Sequence, residues 1–409
     1  MTNPDAIVIG SGPAGLAAAI SLRQGGASSV LILDRDDSAG GLPRFCAHPG
    51  FGWEYTRRLE GGPRFVARLL AQLETDAVRI ATSTTAIAVH PGPEVEIVGP
   101  RFGHTRIAAP VVVLATGARE RPRSARLVPG RRPEFGVLNT GQLQQMVARR
   151  IPTGVKRAVV VGSEHVAFSV LATARKAGIS IAAILEDGAR IRSYPPAEWL
   201  ARLLGTRILL KTRIEEILGR ERVEGVVVRC PTGALTVPCE MVVFTGEFVP
   251  DSVLARDSGL MIDPATAGPI VDQYGRTSVP GVFAAGNLLR AIESSGWSAI
   301  EGARIGLAAA RHLRSAGRWR PSGATLTNGR GVSYVVPQIW ADDEIGSFLP
   351  ISLRASLDHN RAQIRIVRND EVEWRGRMQS MRIGRRLPIS SDTIDALARR
   401  GGEIRIDIA

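Results

Sequence analysis

Lysine is almost missing from this chain, and cysteine is scarce. Of 52 lysines and arginines, only Lys156, Lys176 and Lys211 are lysines. The cysteines are Cys46, Cys230 and Cys239, with no CxxC pair among them. That spacing excludes a disulfide framework and dithiol redox chemistry, and an iron–sulfur cluster needs more thiolates than the chain owns. No run of about 18 apolar residues occurs, which excludes an ordinary membrane-spanning helix. Aromatic residues make up only 5% of the sequence, and no basic block or recognition motif accompanies the net charge of +13. Nucleic acid is therefore not an expected partner. The arginines, spread along the whole chain, read as a solvated surface or as a docking face for an acidic partner protein. No metal-ligand spacing and no Ser–His–Asp arrangement stands out. The first strand is expected from about Asp5, leaving no room for a signal peptide, and the cysteine usage fits a reducing cytoplasm.

What the chain does have is one device written twice. Ile7-Val8-Ile9 runs into Gly10-Ser11-Gly12-Pro13-Ala14-Gly15 and reaches an acid at Asp34. Val159-Val160-Val161 runs into Gly162-Ser163-Glu164-His165-Val166-Ala167 and reaches an acid at Glu186. An apolar strand, a glycine turn, a helix and a carboxylate about 20 residues on form a dinucleotide-binding fingerprint. In the first copy Gly10 permits the tight turn, Gly12 lets a pyrophosphate approach the backbone, and Gly15 lets the helix pack on its strand. The helix N-terminus, with Pro13 and Ala14 in its first turn, offers free N–H groups to phosphate. Asp34 at the end of the Val30-Leu33 strand is placed to hold ribose hydroxyls, with Arg35 beside it.

In the second copy Glu164 replaces the middle glycine. A carboxylate about 4 Å from a pyrophosphate costs roughly 1–4 kcal/mol by repulsion, before any steric cost. The fold is expected to survive there and NAD(P) binding to be lost. The other reading is that Glu164 swings outward and NADH still binds, with Glu186 on its ribose.

Two later segments, Val111-Val112-Val113-Leu114-Ala115-Thr116-Gly117 and Thr277 through Gly286-Asn287, read as buried strands ending in polar turns. With these motifs the chain resembles the flavoproteins with two dinucleotide-binding domains related to glutathione and thioredoxin reductases, the pyridine nucleotide-disulfide oxidoreductase superfamily. The resemblance implies FAD at the first copy and Asn287 on its ribityl chain, where the family carries an acid. It also implies that a helix from about Ser298 to Leu313 aims its N-terminus at the flavin. Residues 40–52, with Gly40, Gly41 and Leu42, and residues 115–123 and 136–144 are similar to bacterial FAD-dependent oxidoreductases paired with a second flavoprotein. They are similar also to the flavin subunits of hydrogen cyanide synthase, opine oxidase and dye-linked proline dehydrogenase. The resemblance covers roughly residues 5 to 315. It lacks the family's redox disulfide and the extra cluster cysteines of the hydrogen cyanide synthase type.

These readings give an α/β fold of two Rossmann-like three-layer domains, one inserted in the other, plus a small C-terminal β-rich module. The FAD domain takes residues 1–130 and 270–318, the inserted degenerate domain 150–250, and the module 332–409. Residues 315–331 read as a linker. Alternating runs after it, with Asn369-Asp370 between two of them, indicate strands and a hairpin turn. Cys46, His48 and Arg44 are the catalytic candidates: a thiol beside the flavin, a general base and an anion holder. Cys46 reads equally as a small buried hydrophobe. Glu293 and Trp297 are expected to line the pocket. The expected activity is hydride transfer from a small amine, amino acid or hydroxy compound to FAD, with electrons passing to a partner, a quinone or oxygen. The alternatives are an NAD(P)H-dependent flavin reductase, or a flavin-bearing relay subunit beside a second flavoprotein. A homo-oligomer is left open.

Overall fold

The computed structural model describes residues 3–315, 323–342, 349 and 351–409. Four strands of four residues, Ala6–Ile9, Val30–Leu33, Val78–Ala81 and Val111–Leu114, join Val282–Ala284 in a five-stranded parallel sheet. Ala6–Ile9 lies at its centre. Four of these strands are apolar throughout and buried at every position, as a parallel sheet covered on both faces requires. Alternate residues point to opposite faces. Ala6, Val8, Val30, Ile32, Val111 and Val113 pack on the helices Pro13–Gln24 and Ser295–Ser315. Ile7, Ile9, Leu31, Leu33, Val112 and Leu114 pack on the antiparallel strands Thr85–His90, Glu94–Gly99 and Gly103–Ala108. Each such fully buried Val, Leu or Ile contributes about 1.5–3 kcal/mol.

The second sheet repeats this plan. Arg157–Val161 pairs in parallel with Ser180–Leu185 and Met241–Phe244, and Val137–Asn139 and Arg207–Leu209 form the edges. Helices Thr140–Ala148, His165–Lys176 and Pro195–Leu203 cover one face. The antiparallel strands Arg213–Leu218, Gly225–Cys230 and Gly233–Pro238 cover the other. Two crossing strands, Ala118–Glu120 and Phe248–Pro250, pair antiparallel and tie the two units. The fold is thus the three-layer α/β architecture twice, with the chain returning to the first sheet at Val282–Ala284.

The C-terminal strands follow. Ile351–Ala355 and Arg386–Ile389 pair in one sheet; Ile364–Arg368, Glu371–Arg375 and Glu403–Ile408 belong to another. Asn369 and Asp370 both take positive φ, 47° and 63°, in the turn between two of them. The linker reading needs correction. Gly323–Asn328 is a strand, parallel to Glu403–Ile408, with Ala324 and Leu326 buried between the sheets. Residues 316–322 lie outside the described residues. The module packs on the first unit. Tyr334 and Val336 enter its core, and Ala341 exchanges two backbone bonds with the Gln273 amide, at 2.6 and 2.7 Å.

Candidate functional site

The two fingerprints share a backbone. Gly12 and Glu164 are both helix N-caps, at φ −69°, ψ 179° and φ −65°, ψ 171°. Gly10 and Gly162 both take left-handed φ, 103° and 114°. A side chain at Gly10 would also collide with the Ala115 carbonyl. Each serine after the first glycine donates its hydroxyl to the acid of its own copy, Ser11 to Asp34 and Ser163 to Glu186. Each also accepts a backbone N–H at 3.0 Å, from Gly40 and from Arg192. These serines are plain in the sequence, since both copies begin Gly-Ser, yet a reading of glycines alone passes over them.

The first cradle is open. A Cβ built at Gly12 meets nothing within 4 Å. Gly41 closes the opposite wall, its own Cβ position 2.9 Å from the Gly12 Cα. Asp34 takes N–H groups from Ser11 at 2.8 Å and Asp36 at 2.9 Å besides the Ser11 hydroxyl, so about one of its four lone-pair sites stays free for a ribose. Gly286 turns beside Ala14, and next to it the Ser298 hydroxyl, 5% exposed, is buried with no hydrogen-bond partner. An open anion-facing helix terminus, a carboxylate with a free site and an orphaned buried hydroxyl fit a flavin dinucleotide.

The remaining expected cofactor residues surround this cradle less directly. Thr116 donates to the Asp251 carbonyl at 2.8 Å, and Gly117 accepts from the Asp251 N–H, so both brace the crossing strands. Arg35 is exposed and pairs with Asp251 at 3.2 Å. Leu42 is half exposed beside Gly141. The Asn287 amide is engaged within its own loop. It accepts from the Glu293 N–H at 2.8 Å and donates to the Glu293 carbonyl at 3.2 Å, leaving one amide hydrogen for a ligand. The following helix begins at Ser295 rather than Ser298. Gly302 and Gly306 let it press on Ala14 and Ala18. Its N-terminus is not bare. Glu54 stands over Gly296 and accepts from the Ser294 hydroxyl at 2.8 Å, so the chain's own carboxylate meets the partial positive charge there.

The second cradle is filled. The Glu164 carboxylate lies over both Gly162 and Gly246, whose Cβ positions would fall 2.6 and 2.5 Å from it. It accepts from the Thr245 hydroxyl at 3.2 Å and faces Arg192 at 3.7 Å. Burial pushes its pKa up, against the pull of Arg192. Glu186 is 2% exposed and satisfied by Ser163, the Gly188 N–H at 2.7 Å and Arg192 at 3.3 Å.

Of the catalytic candidates, two have structural employment. The Cys46 thiol is 4% exposed, and burial pushes it up to about 12. It donates to Gln144 at 3.3 Å, and Gln144 donates on to Ser169 at 3.1 Å. Its thiol is therefore neutral and buried at neutral pH. Arg44 is spent on Asp36 at 2.7 Å and on the Ser38 carbonyl, and its guanidinium covers Phe45 at 4.4 Å. His48 stands against Phe51, and its pKa is lowered, first by burial, with the Pro49 carbonyl opposing and His165 adding to the fall. A neutral imidazole can act as a base. Glu293 is buried between Arg290 at 3.9 Å and Arg354 at 2.9 Å, and Trp297 lies under the Arg386 guanidinium at 4.2 Å. Arg290, Glu301, Arg354 and Arg386 do not stand out in the sequence. Arg354 and Arg386 reach this cluster from strands of the C-terminal module, which carry no local signal of it.

Among the described residues no helix is long and apolar enough to cross a membrane. The profile of the pyridine nucleotide-disulphide oxidoreductase family matches residues 4–305. The ferredoxin–NAD(+) reductase component of the benzene 1,2-dioxygenase system of Pseudomonas putida is 33% identical over 191 residues, 44% of this chain and 44% of that protein. An opine oxidase component of Agrobacterium tumefaciens (strain Ach5) is 27% identical over 316 residues, 69% of this chain and 61% of that one. The matches thus span about half the length of these curated relatives. The thioredoxin reductase of T. acidophilum shares the fold, with a TM-score of 0.64 at 19% identity over 77% of this chain and 100% of that one. The open first cradle, the duplicated sheet and the family match over residues 4–305 agree: the chain belongs to the pyridine nucleotide-disulphide oxidoreductase family.

Proposed function

We propose that this chain is the flavin-bearing electron-transfer component of a larger redox system. When bound, FAD supplies the hydride-accepting and electron-passing chemistry. Gly10, Gly12, Pro13, Ala14, Gly15 and Asp34 hold its dinucleotide half. Gly41, Leu42, Thr116, Gly117, Gly286, Asn287 and Ser298 wall its remainder, and Arg35 lies at the ribose end. The holding domain is taken as residues 1–130 and 270–318, and the inserted one as 150–250. The observation that carries this reading is the contrast of two cradles with one backbone, the first open at Gly12 and the second filled by Glu164.

The electron donor has two readings. The seated Glu164 carboxylate argues against a nicotinamide and for a small organic donor. The names of the relatives argue the other way: a ferredoxin–NAD(+) reductase favours NAD(P)H over direct oxidation of a metabolite. On that reading the acceptor is an iron–sulfur or second flavin partner, and Arg192 draws Glu164 aside when the nicotinamide enters. Anaerobic titration of the FAD-loaded protein with NADH and NADPH separates them. Bleaching within seconds supports the reductase reading. Full retention of colour supports an organic donor. A protein that purifies without FAD overturns the proposal as a whole.

A further inference from the structure

The loop that closes the first cradle is built on an unbalanced set of charges. The Gly286 N–H is held by Glu301 at 3.0 Å, and Arg290, only 2% exposed, binds the same carboxylate at 2.9 Å. Glu293, whose backbone clasps Asn287, receives Arg354 at 2.9 Å. Arg290 also faces Glu293, at 3.9 Å, so these two carboxylates are engaged by two guanidinium groups. A third guanidinium, Arg386, enters from the Arg386–Ile389 strand of the C-terminal module, directly opposite Arg354 in the sheet. Its guanidinium carbon lies over the Trp297 ring, 4.2 Å from the centroid, and the residue is partly buried. Among the described residues no carboxylate stands within ion-pair distance of it; Glu293 and Glu301, which act on it electrostatically, are already engaged.

Three guanidinium groups therefore meet two carboxylates beside the flavin cradle. Burying charge without a counter-ion is costly. A lysine or histidine could relieve the imbalance by losing a proton, but a guanidinium keeps its charge. With its guanidinium over Trp297 and no side-chain ion pair to a described carboxylate, Arg386 has N–H donors to offer a planar, bidentate acceptor.

We propose that the C-terminal module completes the substrate end of the flavin site and that Arg386 binds the carboxylate of a small organic acid there. This rests on the organic-donor reading above and narrows that donor to a carboxylate-bearing amine or hydroxy compound. It gives the module a role that neither a surface cover nor a dimer contact supplies.

The test is a titration of the full-length, FAD-loaded protein with acetate, lactate and L-alanine, followed by calorimetry and by the flavin absorbance spectrum. Acetamide, lactamide and inorganic phosphate serve as comparisons. At least one acid is expected to bind saturably and perturb the flavin spectrum, while the two amides do neither. Arg386→Met is expected to weaken that binding at least about tenfold, and Arg386→Lys to restore part of it, with flavin content unchanged in both variants. Equal binding by Arg386→Met, binding of the amides as tight as of the acids, tighter binding of phosphate, or no binding of any acid would each overturn the proposal. Flavin content and the response to NADH report separately on the function proposed above, so failure of one is not mistaken for failure of the other.

Discussion

The two halves of this molecule hold the same backbone to opposite ends. Each places a parallel strand, a left-handed glycine, a serine bonded to an acid, and a helix N-cap of nearly the same φ and ψ. One side chain separates them. At Gly12 the space before the helix N-terminus stays open, whereas at Glu164 a carboxylate fills it and takes the place of an outside anion. Copying a fold therefore does not copy its ligand. The binding property lives in a few atoms at the N-cap, while the sheet and its two covering layers stand with or without them.

The harshest way to break the comparison is to write the second copy's residue into the first. Gly12→Glu introduces no backbone strain, since Gly12 has negative φ and free space at its Cβ. The variant is expected to fold, with an unchanged far-ultraviolet circular dichroism spectrum, and to lose its flavin. Flavin released on denaturation should fall by about tenfold or more, as repulsion of a few kcal/mol dictates. A yellow Gly12→Glu protein would mean that a carboxylate at this N-cap is compatible with a dinucleotide, and the case against a nicotinamide at the second copy would collapse.

A second asymmetry is the helix Ser295–Ser315, which presses on the first copy through Gly302 and Gly306. A Cβ at Gly302 would collide with the Ala14 carbonyl at the cradle itself. Gly302→Val should cost about 1–3 kcal/mol in denaturant unfolding, the usual range for overpacking, and should loosen FAD retention with it. Stability lost with FAD affinity intact would detach this helix from the cradle.

Repairing the second copy is gentler. Glu164→Gly removes the carboxylate and keeps the turn, so affinity for NADH or NADPH should rise by about fivefold at least, the lower end of the repulsion estimate. Fluorescence titration of the two proteins reads it directly. Unchanged affinity would move the cause from Glu164 to the buried Glu186, already held by Ser163, the Gly188 N–H and Arg192.

Much of this is legible in the sequence because it is local. Strand, glycine turn, helix and acid follow one another within a few dozen residues, and Asn369-Asp370 announces its own turn. The identity of Glu164 is equally plain, but not whether its side chain turns outward or folds over Gly246, which lies across the sheet. The strand Gly323–Asn328 reads as a linker because its pairing partner, Glu403–Ile408, is far along the chain. For Arg44 and Cys46, neither Asp36 as a partner nor burial against Gln144 follows from a loop sequence. Arg386 leaves no sign at all, because its neighbour Trp297 belongs to another unit.

The subtlest difference between the copies is one of protons. Burial raises the folded-state pKa of Glu164 above the ordinary carboxylate value of 4.5, with Arg192 opposing. Between these two values the folded protein still holds a proton that the unfolded chain has released. Stability must then fall as pH rises through that window, because the unfolded state binds fewer protons there. Below the window the contribution is fully present; above it, the carboxylate is ionised in a half-buried crevice. Glu164→Gln has no such titration. Its melting temperature, measured against the native protein over a series of pH values, should gain steadily as pH climbs from about 4.5 through the raised value and then level off. The opposite trend would mean that Arg192 outweighs burial and holds Glu164 as a stable anion. The second cradle would then be closed by a fixed negative charge, and a nicotinamide would have to displace the Glu164–Arg192 ion pair.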